Sequence, residues 1–371
     1  MIDTLQEVKE SGLIYVTDST AGIRRMGEPG AFYYLDAKGA RVTDEKQLDR
    51  VKKLVLPPAW TNVWIAVSPN AYLQATGIDA AGRKQYRYHP KWTSRRSDAK
   101  YFRLAEFARV LPRARKQILT DLRRKKLDER KVLAICVDVM QKTLIRIGNE
   151  SYKRKHGSFG LSTLRDKHAV INGSKLELSF VGKKGVQQQV RLTDRNLAKL
   201  VKKCREIPGQ ELFQYYLPDG SRRSVDSGRI NAYIQEITGS DFTAKDFRTW
   251  GGTLEAFRQM AQCFQAGDQR PRKKLIVDVL DCVAFKLGNT RAVCKSSYVY
   301  PMLLEAFEND QLGQFLKKVK PAQKTQLSGL ESDEKVLLAF LKAVSAEVAA
   351  IKEAPQKGKA GRSAPQAATE N

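Results

Sequence analysis

The hydrophobic period of this chain changes near residue 92, and that change limits what it can fold into. Before it, short β-branched and aromatic runs at 13–16, 32–35 and 63–67 lie between Gly, Pro, Asp and Ser signals. This is the pattern of a small sheet, here interrupted by one expected helix at 45–54. After it the texture is helical: the basic run 93–131, then 131–144, 194–206, 228–238, 245–265, 270–287, 297–308 and 332–352 are each expected to form helices. One stretch departs from that. Leu176, Leu178 and Phe180 alternate with Lys175, Glu177 and Ser179, Gly182-Lys183-Lys184-Gly185 makes a turn, and 186–192 continues a hairpin. Residues 131–144 are apolar on most sides and read as a buried central helix, which presents Arg146 at the end of a rigid element.

Sixty-six Lys and Arg against forty Asp and Glu leave a net charge of +26 on 371 residues. A field of that sign draws polyanions, nucleic-acid phosphates above all, with an anionic membrane surface as the weaker rival. No apolar stretch is long enough to span a bilayer, and the start MIDTLQEVKESG lacks a secretory apolar core, so a cytoplasmic protein is expected. The five cysteines, at 136, 204, 263, 282 and 294, form no CxxC pair, and only His89, His156 and His168 could join them. Buried reduced thiols are therefore expected, not zinc or disulfides. With no GxxxxGK[ST] loop and no DxD cluster, neither a metal nor a small-molecule cofactor is expected.

Tyr298 lies in KSSYVYP, and three earlier segments each offer a cation: Arg146 in IRIGNESY, Lys183 in FVGKKG and Arg248 in KDFRTWGG. A phenol with a pKa of about 10 is a poor nucleophile at neutral pH unless fixed positive charge surrounds the phosphate and the developing phenolate. Two arginine forks and a lysine able to release a proton suit a tyrosine that attacks a phosphodiester. In the segment 82–92, GRKQYRYHPKW, strand geometry puts Lys84, Tyr86 and Tyr88 on one face and Gln85 and Arg87 on the other. Such a strand suits a DNA groove, with Gln85 able to pair an adenine edge, and it equally suits an ordinary edge strand with inward tyrosines.

The order IRIGNESYKRKHGSFGLSTLRDKHAVING, FVGKKG, KDFRTWGG, GNTRAVCKSSYVYP resembles that of the type IB DNA topoisomerases of the small bacterial and poxvirus branch. LPPAWTNVWI followed by GRKQYRYHPKW resembles that branch's N-terminal domain, so the likeness runs from about residue 12 to 310. It implies an α+β fold: a small β-rich N-terminal DNA-clamping domain over 1–95, and a mainly α-helical catalytic domain over 96–353 with a three-stranded sheet carrying Lys183. A tail over 354–371, rich in Ala, Pro, Gln and Lys, is expected to be disordered. The resemblance further implies that Tyr298 attacks the scissile phosphodiester and becomes joined to the 3′ phosphate, while Arg146 and Arg248 bind the non-bridging oxygens. Lys183, assisted by Lys245, would protonate the departing 5′ oxygen. Lys84, Gln85, Tyr86, Tyr88 and Tyr152 would contact DNA. The partner is then duplex DNA, relaxed by a monomer at the nucleoid without ATP or metal.

One position departs from the family: nine residues before the nucleophile, where many relatives have histidine, stands Asn289. An amide donates a hydrogen bond but carries no charge. Two rivals remain at this level. A tyrosine recombinase shares the fold and chemistry, though its His-x-x-Arg box is Lys245-x-x-Arg248 here. A basic, non-catalytic chromatin or RNA-binding protein would leave Tyr298 merely packed.

Overall fold

The computed structural model describes residues 2–80, 82–320 and 329–353; the tail expected over 354–371 lies outside them. The chain divides into two compact units between Tyr101 and Phe102. The first unit runs α1 (Ile2–Glu10), β1 (Gly22–Met26), β2 (Tyr33–Leu35), α2 (Glu45–Lys53), β3 (Thr61–Ala66), β4 (Leu73–Ile78) and β5 (Lys84–Tyr88). The five strands form one antiparallel sheet in the order β2-β1-β3-β4-β5. Asp44 caps α2 by accepting from the Lys46 amide, and Val51 of that helix packs on Ile23, Val63, Ile65 and Ala75.

Three details differ from the sequence reading. The run 13–16 forms no named strand: Ile14 makes a single bridge to Ala71, because Gly12 at φ +66° and the turn at Thr17–Thr20 leave it no length to pair. Tyr15 instead stacks on Tyr72, with ring centroids 5.0 Å apart. Strand β4 is buried on both faces and so carries no alternation in its sequence. Strand β1, Gly-Ile-Arg-Arg-Met, is not among the expected runs: two of its five residues are arginines, and its pairing with β3 is what makes it a strand.

The long helix α3 (Pro90–Leu122) crosses from the first unit into the second and ends well before 131. There follow α4 (Glu129–Thr143), α5 (Glu150–His156), the strands β6 (Ala169–Asn172), β7 (Lys175–Val181) and β8 (Gln187–Thr193), and α6 (Arg195–Arg205). A short hairpin, β9 (Gln214–Tyr216) and β10 (Arg222–Ser224), leads to α7 (Ser227–Thr238), α8 (Ala244–Gln265), α9 (Arg272–Leu287), α10 (Arg291–Ser297), α11 (Pro301–Glu308), α12 (Gly313–Leu316) and α13 (Ser332–Glu353). The expected three-stranded sheet is present, in the order β6-β7-β8. Helix α4 is the expected central element: every residue from Lys131 to Met140 is buried, and α6, α7 and α8 pack around it.

The continuous helix expected over 297–308 breaks at 298–300. Pro301 cannot donate and holds Tyr300 extended at φ −64°, ψ 120°, so α10 stops and Tyr298 stands at its C-terminal end. Among the cysteines, 136, 204 and 294 are buried free thiols, but Cys263 is half-buried and Cys282 exposed on α9. Both lie on helical faces that solvent reaches. Among the described residues, no group of His, Cys, Asp and Glu has a metal-holding arrangement, and no helix is long and apolar enough to cross a membrane.

Candidate active site

Arg146 owes its place to the end of α4. Leu144 takes the left-handed conformation at φ 57°, which stops the helix and turns the chain toward α9. Backbone bonds from Leu161 to the Arg146 carbonyl (2.8 Å) and from Ser162 to the Ile147 carbonyl (2.7 Å) then fix the segment. Gly148 and Gly160 approach so closely that a Cβ on Gly160 would lie 2.5 Å from the Gly148 nitrogen. From this mount Arg146 donates to the Gly288 carbonyl at 3.2 Å and to Asn289 Oδ1.

Arg248 is 3% exposed, a guanidinium inside the protein. It donates through Nη1 to the Leu144 carbonyl and through Nη2 to the Leu287 carbonyl at 3.0 Å, so it ties the ends of α4 and α9 to α8. Its Nε has no partner. Its Cζ lies 5.0 Å from the centroid of the Tyr298 ring.

Asn289 follows the left-handed Gly288 that ends α9. The capping bond is made by its backbone amide, to Ala284 at 3.0 Å, and the side chain is left for other use. Oδ1 accepts from Arg146, while Nδ2 is buried with no partner. Two buried donors, Arg248 Nε and Asn289 Nδ2, are thus unsatisfied within one cluster. Each costs about 1–3 kcal/mol unless a ligand completes it.

Tyr298 is held by its backbone. Its amide donates to Cys294 at 3.0 Å, and its carbonyl accepts from Thr253 Oγ1 at 3.1 Å. The same Thr253 oxygen accepts from the Tyr300 amide at 3.2 Å. Helix α8 comes this near only because of two glycines. A Cβ on Gly252 would meet the Tyr298 carbonyl at 2.9 Å, and one on Gly251 the Leu144 side chain at 2.4 Å. Burial alone would raise the phenol's pKa, but the charge and hydrogen bond of Arg248, with Arg146 and Lys245 beyond, outweigh it and leave the pKa below the usual tyrosine value.

Arg146, Arg248 and the pair Asn289 and Tyr298, nine residues apart, therefore come together from three stretches distant in sequence. Lys245 is exposed on the first turn of α8, one turn before Arg248, and acts on Tyr298 through its charge. Lys183 is exposed in the β7–β8 turn, where Lys184 takes φ 65°, and its ammonium lies 5.7 Å from the ring of Tyr152 on α5. In the first unit, Lys84 pairs with Asp18 at 2.5 Å and Gln85 donates to Asp79 at 2.8 Å. Tyr86 and Tyr88 share a face as expected, their rings stacked with centroids 6.0 Å apart. Tyr86 is 49% exposed, whereas Tyr88 packs against the clusters of Trp64 and Trp92. Sequence reasoning missed Thr253, Leu144 and the Gly251-Gly252 pair. The glycines carried a signal, since two in mid-helix cost about 1 kcal/mol each against alanine and so mark a close approach.

Residues 89–325, well over half the chain, match the family model of the eukaryotic DNA topoisomerase I catalytic core, and residues 31–79 match that of the bacterial DNA topoisomerase IB N-terminal domain. The DNA topoisomerase 1B of Acanthamoeba polyphaga mimivirus is 35% identical over 295 residues, which cover 77% of this chain and 87% of the viral protein. The chain belongs to the type IB DNA topoisomerases. More distant is the DNA topoisomerase 1B of vaccinia virus (strain Copenhagen), 23% identical over 62% of this chain and 70% of that protein. The DNA topoisomerase 1 of rabbit fibroma virus is likewise 23% identical, over 63% and 72%. This type IB topoisomerase is accordingly an isomerase with DNA as its substrate class, and neither family model nor any of these relatives is a recombinase.

Proposed function

We propose that this topoisomerase relaxes supercoiled duplex DNA through a transient nick, with Tyr298 as nucleophile. The phenol oxygen attacks the phosphorus, a 3′-phosphotyrosyl bond forms, and the bond to the 5′ oxygen breaks. The observation that carries this reading is the depressed pKa of Tyr298 beside two buried, unpartnered donors, Arg248 Nε and Asn289 Nδ2. A phosphodiester brings the missing acceptors as its non-bridging oxygens, and Arg146 adds charge from the other side of Asn289. Lys183, on a short exposed turn with a long flexible stem, serves as the acid that protonates the 5′ oxygen, with Lys245 assisting. The released strand rotates, and the 5′ hydroxyl then attacks the phosphotyrosine to restore the backbone. The ester keeps the energy of the broken bond, so religation needs no ATP. Lys84, Tyr86, Tyr88 and Tyr152 are assigned to DNA contact on their exposure or aromatic stacking and Gln85 on its amide, and the pairs Lys84–Asp18 and Gln85–Asp79 must open for it. The finer expectation of a monomer at the nucleoid rests for its location on the +26 charge, and sedimentation checks the monomer.

The test is relaxation of positive and negative supercoils in EDTA without nucleotide. Tyr298→Phe should bind duplex DNA with nearly unchanged affinity and give no covalent adduct. Denaturant-trapped adducts should map to Tyr298 at the 3′ side of the nick. A requirement for ATP or magnesium, or an adduct at Tyr152 or Tyr300, would overturn the reading.

A further inference from the structure

Helix α13 begins beyond the stretch that matches the catalytic core, yet its first turn grips the helix that carries Arg248. Glu334 is 1% exposed and meets four donors. Arg115 of α3 binds it bidentately at 2.6 and 2.9 Å, the Glu331 amide donates at 2.9 Å, and the Trp250 indole donates at 3.0 Å. Trp250 lies two residues after Arg248, and its ring packs near Phe107 of α3, centroids 6.4 Å apart. A second grip falls about two turns further along α8, where Arg258 binds Glu331 at 2.5 Å and also Asp333. Arg115 also reaches the Gly329 carbonyl at 2.7 Å, so the entry to α13 joins the same knot.

A buried ion pair is a poor way to gain stability, since apolar residues of equal volume often do as well or better. What four donors on one carboxylate do supply is a fixed distance between elements. The beneficiary is the short segment of α8 from Arg248 to Thr253, which must touch Leu144, Leu287 and Tyr298 at once. We propose that Glu334 is a positioning residue: through the Trp250 indole it sets the axial place of α8, and hence of the Arg248 guanidinium against Tyr298. The proposal rests on the reading of Arg248 as a transition-state arginine.

The test is single-turnover cleavage at saturating protein, on Trp250→Phe and Glu334→Gln, each alone and combined with Arg248→Lys or Lys183→Ala. Trp250→Phe removes one link and leaves the Arg115–Glu334 pair in place, so it remains informative if Glu334→Gln fails to fold. A displacement of catalytic groups on the ångström scale costs about 10²-fold, so Trp250→Phe should cleave roughly ten- to a hundredfold more slowly with DNA affinity unchanged. The loss should shrink on the Arg248→Lys background and persist in full on Lys183→Ala. Cleavage at the parental rate, or the same loss on both backgrounds, would overturn the positioning role. Arg248→Lys cleaving at the parental rate would instead overturn the assignment of Arg248, and is read separately.

Discussion

Removing the side chain of Asn289 separates a cap from a catalytic group. The capping bond to Ala284 comes from the backbone, and Gly288 holds the left-handed position, so Asn289→Ala leaves the end of α9 intact. Two things are lost: the acceptor for Arg146, and a buried amide nitrogen that has no partner in the free protein. Losing a hydrogen bond to a charged group costs about 1.5–3 kcal/mol, and relieving an unsatisfied buried donor returns about 1–3 kcal/mol. These nearly cancel, so Tm should move by no more than about 4 °C. The rate has no such compensation. If Nδ2 donates to a phosphate oxygen in the transition state, its removal costs about 10²–10³ in cleavage rate, or about 2.7–4 kcal/mol. Asn289→His should retain much of the rate, because an imidazole also donates. Asn289→Asp keeps the acceptor for Arg146 but loses the donor and adds negative charge, and should be at least as slow as alanine. The assay is single-turnover cleavage at saturating protein, beside a thermal melt. Unchanged cleavage with a lowered melt for Asn289→Ala would refute the reasoning and return Asn289 to a structural role.

The acid role of Lys183 is read with a 5′-bridging phosphorothiolate, whose thiolate leaves without a proton. Lys183→Ala should lose about 10²–10⁴ on ordinary DNA and recover on the sulfur substrate, whereas Arg146→Ala and Arg248→Ala should not; equal rescue of all three would remove the assignment. For pH, burial raises the Tyr298 pKa and Arg248 leads the groups that lower it, with a net depression, so the cleavage rate of the parent should level off below pH 10. Arg248→Gln should be slower and reach its plateau at higher pH, and an unmoved limb would contradict the electrostatic account. Gly252→Ala places a methyl 2.9 Å from the Tyr298 carbonyl and 3.1 Å from its Cβ, and by shifting the nucleophile should slow cleavage about 10²-fold with DNA binding unchanged. Cleavage within twofold of the parent would show that Tyr298 tolerates the shift.

The sequence by itself determined those elements whose signals are local, and it singled out the residues proposed to react. Period-two alternation at 175–180 and the Gly182–Gly185 turn specified the hairpin and put Lys183 at its tip, because both signals are local. The apolar run of α4 placed a buried helix just ahead of Arg146 for the same reason. What stayed hidden depends on contacts between distant segments. Strand β4 lost its alternation by burial on both faces, β1 took its meaning from β3, and the break at 298–300 needed the restriction that Pro301 puts on Tyr300. That Asn289 turns its backbone to the helix end and its side chain to Arg146 was decided by the tertiary structure alone. So were the grip of Thr253 on Tyr298 and the four donors on Glu334. A side chain's type sets what chemistry it can do, while its distance and burial set whether it does it, and those are properties of the packed chain.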